Sequence, residues 1–226
     1  MTNILLKVNG EEKQLSIHNC YCIGYAGRNK EKTMEHIIEL EEIGVPRPNT
    51  IPALYPVRRN SLNQTDEIEV LGNESSGEAE IVLVFGDTEK EIYITVGSDH
   101  TDRSLETVDI NKSKQVCDKP IAQAAWKLSD VIDHWDDLIL SSQVYYDGEW
   151  VEYQKAKINE IIHFNEIISF LEKESVPMKN AVVFSGTVPL LDGFKYGTKF
   201  RMAFIDETRN EQIHTEYEII RLDTER

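Results

Sequence analysis

The chain has 226 residues, of which 40% are hydrophobic and 28% charged, and its 40 acidic and 24 basic side chains give a formal net charge of −16. This balance excludes a disordered chain and predicts a compact protein of one large domain, or one domain with a small appended subdomain. The negative charge excludes nucleic acids and anionic membranes as expected partners, because the densest basic stretches, 28–32 and 58–59, are short.

The sequence also lacks the features of membrane or exported proteins. No apolar run approaches the roughly 18 residues that cross a bilayer, and residues 1–10 lack a basic segment followed by an apolar core. We therefore expect a cytoplasmic protein. Its three cysteines, Cys20, Cys22 and Cys117, are expected to remain thiols in that reducing compartment.

The first 23 residues predict strands. Ile4, Leu6 and Val8 alternate along one face, and Asn9-Gly10 is a typical turn before a returning strand over 13–17. This pattern predicts a β-hairpin, which a short strand over 20–23 follows.

A helix is predicted next, because apolar side chains recur at intervals of mostly three and four between Lys30 and Gly44. These side chains are Met34, Ile37, Ile38, Leu40 and Ile43. Four prolines between 44 and 56 then exclude a helix and favour an extended connector. We place a boundary just beyond it, between a small N-terminal subdomain (1–65) that carries the helix and a larger domain (66–226).

The larger domain is predicted to contain many strands and few helices, which indicates an α+β fold. Asp147-Gly148 marks a second hairpin, 165–173 is a short amphipathic helix, and 105–109 is helical or irregular. The first three of its strands are expected to form a meander. Strands are predicted over 67–71, 79–85, 91–96, 139–146, 150–154, 181–185, 199–205 and 213–222.

Two acidic residues, Glu78 and Glu80, stand at the head of the apolar strand 81–85. The period of two places both carboxylates on one face of the strand. Their mutual repulsion implies solvent, a raised pKa or a bound cation. A strand end that frays into water would explain the same residues.

A second polar cluster, Gly97-Ser98-Asp99-His100-Thr101-Asp102-Arg103, directly follows a predicted strand. Alone, it is typical of a turn whose Asp and Thr side chains bond the local backbone. The Gly-Ser pair would also let the Asp99 carboxylate fold toward a neighbouring strand. With Glu78 and Glu80 it would then supply three oxygen ligands that suit Mg²⁺, Mn²⁺ or Ca²⁺.

A different metal site is conceivable near the N-terminus, where His18, Cys20 and Cys22 alternate along one strand. They would offer three ligands to a soft metal, but no fourth ligand is nearby. A buried strand with small thiols explains these residues equally well.

The motifs, taken in order, resemble the fumarylacetoacetate hydrolase superfamily, which contains acylpyruvate hydrolases, oxaloacetate decarboxylases and isomerases of ring-opened aromatic catabolites. Glu78-Ala79-Glu80 is similar to the family's Glu-x-Glu metal motif, and residues 97–103 are similar to its Gly-Asn-Asp-x-Thr-Ala-Arg stretch, whose Asp is the third ligand. The resemblance extends from about Ile23 to Leu222, with a bacterial branch of unknown function the most similar. It implies a strand-rich mixed β roll with a small N-terminal subdomain, usually paired as a homodimer.

The resemblance also implies groups that hold an anionic substrate. Asn111-Lys112-Ser113-Lys114-Gln115 is similar to the family's Lys-Ser region, so Lys112 or Lys114 would lie beside the metal. Thr187, after the apolar strand 181–185, matches a turn that closes the substrate carboxylate site. A surface lysine and an ordinary turn are the alternatives from the residues alone.

His36 and Glu39 match a His-x-x-Glu pair on the family's lid helix, downstream of a Gly-Arg-Asn turn at 27–29. Their spacing puts both on one helical face, where the carboxylate can orient the imidazole to draw a proton from water. An exposed histidine on a charged helix is the alternative. More residues separate the turn from His36 than is usual in the family, so the lid should be longer by about one helical turn.

Several pocket positions depart from the family. Lys30 replaces a Tyr, Glu106 stands where many members have a substrate-binding Gln, and the Lys of a Phe-x-Lys-Pro stretch has no clear counterpart, Arg58 being the nearest candidate. The substrate contacts that the resemblance predicts are Arg28, Arg58, Arg103, Glu106 and Thr187.

The function that the resemblance implies is hydrolysis of a carbon–carbon bond in a small anionic β-dicarbonyl acid of the acylpyruvate type. A divalent metal would polarise the keto or enolate oxygens, and His36 with Glu39 would activate water. One alternative is a decarboxylase of a 2-oxo acid such as oxaloacetate, which needs no attacking water. Another is a non-catalytic metal- or ligand-binding protein on the same scaffold.

Overall fold

The computed structural model of the protein describes residues 1–42, 44–88 and 90–223. The helices are α1 (Lys30–Glu42), α2 (Arg103–Glu106), α3 (Ile110–Gln115) and α4 (Phe164–Lys173). The strands are β1 (Thr2–Val8), β2 (Glu11–Ile17), β3 (Asn19–Gly24), β4 (Ala53–Val57), β5 (Leu62–Asn63), β6 (Glu67–Leu71), β7 (Ser75–Ser76), β8 (Ala79–Phe85), β9 (Ile92–Ser98), β10 (Thr101–Asp102), β11 (Lys119–Pro120), β12 (Trp126–Lys127), β13 (Ile139–Tyr146), β14 (Glu149–Lys157), β15 (Ala181–Thr187), β16 (Lys199–Asp206) and β17 (Glu211–Leu222).

Two mixed sheets form the body of the protein. The six-stranded sheet has the order β12-β9-β8-β15-β3-β4, and the five-stranded sheet has the order β14-β13-β16-β17-β6. β15 runs parallel to β3 and antiparallel to β8, and β17 runs parallel to β6. The predicted strand-rich α+β class is therefore confirmed.

The predicted meander is wrong in its first strand. β8 and β9 pair antiparallel, as expected, but β6 is the edge strand of the other sheet, where it pairs with β17. Parallel partners have no tight turn between them, so the local sequence around β6 carries no sign of where the strand will pair.

The N-terminal hairpin is formed as predicted by β1 and β2, with Asn9 and Gly10 at φ values of 52° and 82° in the turn. Both residues have the left-handed conformation that a two-residue hairpin turn requires. β3 and β4, which also precede residue 65, lie in the six-stranded sheet with β8 and β9. The division of the chain at residue 65 stays a prediction.

β8 is buried on both faces and links two apolar cores. Ile81, Leu83 and Phe85 face the core shared with the five-stranded sheet, whereas Val82 and Val84 face the core that the hairpin covers. Burial on both sides explains the continuous apolar run of this strand. The period of two places Glu80 on the hairpin-facing side with Val82 and Val84.

The described helices lie outside the sheets, and none is long and apolar enough to cross a membrane. α4 buries Phe164, Ile167 and Leu171, which confirms the predicted amphipathic helix. The three cysteines are buried free thiols.

Candidate metal and substrate site

The two acidic clusters of the sequence meet where β8 begins and β9 ends. Ala79 pairs with Ser98 across these strands, and the backbone N–H of Asp99 donates to the carbonyl of Glu78 at 3.0 Å. Gly97 precedes this point, and a Cβ there would come within 2.8 Å of Phe184 and Val82. The absence of a side chain thus lets the end of β9 pack closely and present Asp99 beside β8.

Asp99 is a buried carboxylate with two lysine partners. The Lys114 ammonium donates to its Oδ2, and Lys119 Nζ lies 3.3 Å from its Oδ1. Burial alone would raise the pKa of Asp99, but the charges of Lys114 and Lys119 lower it below its ordinary value. Asp99 is therefore ionised even though it is out of contact with water.

Glu80 is also buried, but the contact at its Oε2 is a backbone donor, the N–H of Gly186 at 2.9 Å. Burial and then the negative charge of Asp99 raise the pKa of Glu80 well above its ordinary value. An irregular pairing of β15 with β8, between Phe184 and Thr187, brings Gly186 to this position with φ of 107°. Glycine is the residue that adopts this backbone conformation without steric cost.

Glu78 lies at the partly exposed edge of the site and pairs with a buried arginine. Arg103 Nη2 is 3.2 Å from Glu78 Oε2, and Arg103 Nη1 is 3.0 Å from Glu106 Oε2. Burial alone would lower the pKa of the Arg103 guanidinium, but Glu78 and Glu106 raise it. The guanidinium also stacks on the Phe194 ring at 4.2 Å.

The charges of this site leave one acidic group without a counter-charge. Four carboxyl groups face three cations, and within the described part of the chain Glu80 is the one of the four that forms no ion pair. The carboxyl groups are Glu78, Glu80, Asp99 and Glu106, and the cations are Arg103, Lys114 and Lys119. A buried acid whose pKa is raised by its surroundings fits a position where a divalent cation would supply the missing charge.

The ligand set is chemically suitable for a hard cation but is not gathered around one point. Among residues 1–42, 44–88 and 90–223, no group of three His, Cys, Asp or Glu side chains is arranged to hold a metal ion. Glu78 instead pairs with Arg103, and Asp99 with its lysines. Binding of a cation by Glu78, Glu80 and Asp99 would require exchange of at least one of these ion pairs.

The two candidate lysines of α3 have different surroundings. Asp109 caps the helix by accepting from the N–H of Lys112 at 3.0 Å. Successive helical residues are about 100° apart, so Lys112 and Lys114 project to opposite sides. The Lys112 side chain is 73% exposed and pairs with Asp109 at 3.1 Å, whereas Lys114 is 8% exposed and binds Asp99.

Thr187 lies beside the head of β8, at the end of β15. Its hydroxyl donates to the carbonyl of Ala79 at 2.8 Å and accepts from Gln154 Nε2 at 2.5 Å. Gln154 is buried, and its Oε1 accepts from the N–H of Ala79 at 2.9 Å. This glutamine on β14 thus fixes the start of β8 and the end of β15 against the five-stranded sheet.

The predicted lid pair lies on the outer face of α1. Asn29 caps this helix by accepting from the N–H groups of Glu31 and Lys32. The side chains of His36 and Glu39 are 61% and 75% exposed, with His36 Nδ1 3.7 Å from Glu39 Oε2. Within the described part of the chain, no hydrogen bond or ion pair connects them to the carboxylate site.

The other two predicted substrate contacts have partners elsewhere. Arg28 makes a bidentate pair with Asp136, at 2.7 and 2.8 Å, and donates to the carbonyl of Ile161. Arg58 is mostly exposed and lies 3.6 Å from Asp118. The structure thus brings Arg103, Glu106 and Thr187 to the site, and directs Arg28 and Arg58 to other acidic residues.

Sequence reasoning did not single out Lys119, Tyr55 or Tyr25 as site residues. The Tyr55 ring lies 5.7 Å from Lys114 Nζ, and its buried hydroxyl has no hydrogen-bond partner among the described residues. Tyr25 follows β3 in a left-handed conformation, with φ of 57°. Burial raises the pKa of Tyr25, and the charges that act on it include those of Glu106 and Lys114. Of the three, Tyr25 is the one whose sequence position, directly after a strand, could have indicated a site residue.

The histidine beside Asp99 is part of the scaffold. His100 is buried, with Nδ1 2.9 Å from the Tyr217 hydroxyl and Nε2 3.0 Å from Ser75 Oγ. Burial, with the positive charges of Lys119 and Arg103, lowers its pKa well below the ordinary value. The imidazole is therefore neutral and bonded at both nitrogens.

The soft-metal alternative is not formed. Cys20 and Cys22 are buried in the core beneath the hairpin, whereas His18 is exposed. Across the described residues these three side chains do not form a group that could hold a metal.

Several solved structures have a fold similar to that of this chain. Fumarylpyruvate hydrolase from Pseudomonas aeruginosa, in complex with Mn²⁺ and pyruvate, matches with a TM-score of 0.65 and 19% identity over 97% of each chain. 2-Keto-3-deoxy-D-arabinonate dehydratase, complexed with magnesium and 2,5-dioxopentanoate, matches with a TM-score of 0.65 and 14% identity over 91% of this chain and 74% of that chain. 4-Oxalocrotonate decarboxylase from Pseudomonas putida G7, complexed with calcium and acetate, matches with a TM-score of 0.55 and 12% identity over 90% and 78%.

These neighbours are members of the fumarylacetoacetate hydrolase superfamily, and the chain has the fold of that superfamily, as predicted. No curated protein matches the chain in sequence. The chain belongs to the family DUF2848, a protein family of unknown function, whose model matches residues 23–217.

Proposed function

We propose that the protein is a divalent-metal-dependent enzyme that hydrolyses a carbon–carbon bond in a small anionic β-dicarbonyl acid of the acylpyruvate type. The observation that carries this proposal is the buried pair of Glu80 and Asp99 beside the Lys114 ammonium. Glu80, which has no ion pair among the described residues, thus lies next to the ionised Asp99 and to a lysine that can bind an anion. The similar fumarylpyruvate hydrolase, which holds Mn²⁺ and pyruvate, supports such an arrangement.

Glu78, Glu80 and Asp99 would hold Mg²⁺, or Mn²⁺ or Ca²⁺. A divalent cation at these residues would polarise the keto or enolate oxygens of the substrate. Oxygen ligands of this kind suit hard cations, and burial of Glu80 and Asp99 would strengthen their attraction for the charge.

Lys114 is the group best placed to bind the substrate carboxylate. Its ammonium donates one hydrogen bond to Asp99. An ammonium has three N–H donors, so others would be available for the substrate anion when a metal ion also binds Asp99. Arg103 already forms ion pairs with Glu78 and Glu106, so we propose that it lines the pocket and does not bind the substrate carboxylate. Glu106 and Thr187 would be neighbouring substrate contacts. Arg28 and Arg58 would reach a substrate only after release from Asp136 and Asp118.

Access to the site requires movement, because Glu80, Asp99 and Lys114 are all buried. Glu78 and Glu106 are partly exposed and mark the side from which a substrate would enter. In the hydrolase, α1 would close over this side so that Glu39 orients His36 to take a proton from the attacking water.

A decarboxylase of an oxaloacetate-type 2-oxo acid is the second candidate, and the exposure of His36 and Glu39 favours it. Loss of CO₂ needs a stabilised enolate and no attacking water, so a distant lid pair would be no obstacle. The similar 4-oxalocrotonate decarboxylase supports this candidate.

Single-turnover hydrolysis of acylpyruvates with Mg²⁺ or Mn²⁺ tests the proposal, with wild type compared with Glu80→Ala and His36→Ala. We expect Glu80→Ala to lose metal-dependent turnover and His36→Ala to slow hydrolysis by about 10²-fold or more. Equal rates in all three proteins would contradict the assignment.

The products distinguish the two reactions. Oxygen-18 from solvent in a newly formed carboxylate would identify the hydrolase, and CO₂ released from a 2-oxo acid would identify the decarboxylase. A protein that binds metal without turnover on a broad dicarbonyl panel would be a binding protein.

We also propose that the protein is a cytoplasmic homodimer. Light scattering would measure the mass of the particle in solution and so test the dimer.

A further inference from the structure

Lys119, the first residue of β11, is fully buried beneath the candidate site. Its ammonium donates to the carbonyl of His100 at 2.6 Å, to the carbonyl of Lys114, and to the carbonyl of Cys117 at 3.3 Å. It also lies 3.3 Å from Asp99 Oδ1. An ammonium has three donors, so this lysine has no capacity left for a ligand.

These contacts tie three segments to one charge. The carbonyl of His100 belongs to the turn that follows β9, the carbonyl of Lys114 to the end of α3, and the carbonyl of Cys117 to the segment that leads into β11. The turn that carries Asp99 and the helix that carries Lys114 are therefore held together through Lys119.

The two oxygens of Asp99 have different partners. Oδ1 faces Lys119 and accepts from the Thr101 hydroxyl at 3.4 Å, whereas Oδ2 accepts from Lys114. The Lys114 ammonium donates to Oδ2, and the Tyr55 ring lies 5.7 Å from its Nζ. Oδ2 is thus the oxygen that can change partner without disturbing the backbone.

We infer that Lys119 is a positioning residue that holds Asp99 through Oδ1 and keeps Oδ2 available for the metal ion. Lys114 is the lysine that releases Asp99 and turns to the substrate anion. This assignment of separate roles to the two lysines rests on the proposed function. Groups that orient a metal ligand from behind typically change metal affinity by about 10- to 100-fold when they are removed.

The two roles are separated by Mn²⁺ titration of Lys119→Met and Lys114→Met. Each substitution keeps most of the side-chain length and removes one positive charge beside Asp99, so the change in charge is common to both. We expect Lys119→Met to weaken Mn²⁺ binding by about 10- to 100-fold. Lys114→Met should bind Mn²⁺ at least as tightly as wild type, but the Mn²⁺-loaded variant should lose affinity for oxalate.

Amide hydrogen exchange of the metal-free proteins gives a readout that does not need metal. Lys119→Met should increase exchange at residues 99–101 and in the last turn of α3, whereas Lys114→Met should leave both segments as in wild type. Wild-type protein that binds no Mn²⁺ would contradict the proposed function. The exchange pattern would still decide whether Lys119 positions Asp99.

Lys119→Gln serves if the methionine variant does not fold, because its amide N–H groups can still donate to carbonyls. We expect it to fold and to show weakened Mn²⁺ binding, since the ion pair with Asp99 is lost. Wild-type Mn²⁺ affinity in a folded Lys119 variant, or equal losses in the Lys119 and Lys114 variants, would overturn the inference.

Discussion

The carboxylate–lysine site and the helix α1 contain similar residue types but differ in their surroundings. At the site, Glu80, Asp99, Lys114 and Lys119 are buried. The two lysine charges lower the pKa of Asp99, and the Asp99 charge raises that of Glu80. On α1, His36 and Glu39 are exposed and 3.7 Å apart. Acidic and basic side chains are thus buried against one another in one region and exposed to water in the other.

The difference follows from the dielectric environment of each region. Attraction between charges near a protein surface is reduced by water and salt, and exposed pairs contribute about 0 to 1 kcal/mol. A buried pair resists separation far more, because loss of one partner leaves a charge without solvent. The buried site is therefore expected to determine stability and metal binding, whereas α1 can contribute only when it moves.

The largest effect is expected from Asp99→Ala, which leaves two buried ammonium groups without their carboxylate. The variant should lose about 3–5 kcal/mol of unfolding free energy, because that is the usual effect of breaking a buried ion pair. Urea denaturation followed by circular dichroism measures this change. Asp137→Ala is the matched control, since Asp137 pairs with exposed Lys157 at 2.7 Å, and its midpoint should be close to that of wild type. Equal midpoints for the two variants would remove the distinction between buried and exposed pairs.

The next effect compares two lysines on one helix. Lys114→Met should lower turnover by about 10²-fold, because the substrate carboxylate loses a charged partner in a site shielded from water. Lys112→Met removes a side chain that is 73% exposed and should retain wild-type turnover. Steady-state kinetics on an acylpyruvate that the wild-type protein turns over measures both. A larger loss in the Lys112 variant would show that α3 presents the other lysine to the substrate.

A smaller effect is expected in the pH dependence of stability of the metal-free protein. The pKa of Glu80 is raised in the folded protein. Its contribution to the unfolding free energy is therefore complete below the unfolded pKa of about 4.3 and is lost as pH rises through the folded pKa. Asp99, whose pKa is lowered, contributes in the opposite sense and loses stability only as pH falls below about 3.9.

Urea titrations between pH 5 and 8 would show this loss in wild type and a flatter profile in Glu80→Gln. Mn²⁺ should reverse the wild-type loss, because metal binds the ionised carboxylate. Identical pH profiles for wild type and Glu80→Gln would show that Glu80 is not the acid held neutral.

The smallest effect on stability is expected from His36→Ala. The side chain is exposed on α1, so the unfolding free energy should change by no more than about 0.5 kcal/mol and Mn²⁺ affinity should match wild type. Thermal denaturation and metal titration measure these quantities. A clear loss of Mn²⁺ affinity would mean that α1 is already closed over the site in solution.

The chain sequence predicted the elements of the site better than their contacts. The period of two predicts Glu78 and Glu80 on one face of a strand, whereas β8 begins at Ala79 and contains only Glu80 of the two. The choice between Lys112 and Lys114 stayed open because α3 was not predicted, and only helical geometry separates their directions. Lys119 had no local signal at all, since its partners are carbonyls from segments that meet only in the folded protein. β6 was paired with the wrong sheet for the same reason.

Anomalous diffraction from a crystal of the protein soaked with Mn²⁺ and oxalate tests the central claim most directly. We predict one strong Mn²⁺ peak within coordination distance of carboxylate oxygens of Glu78, Glu80 and Asp99, with Lys114 bound to oxalate and Lys119 still on the carbonyls of His100 and Cys117. A Mn²⁺ peak at other residues, or no peak at a saturating metal concentration, would contradict the account.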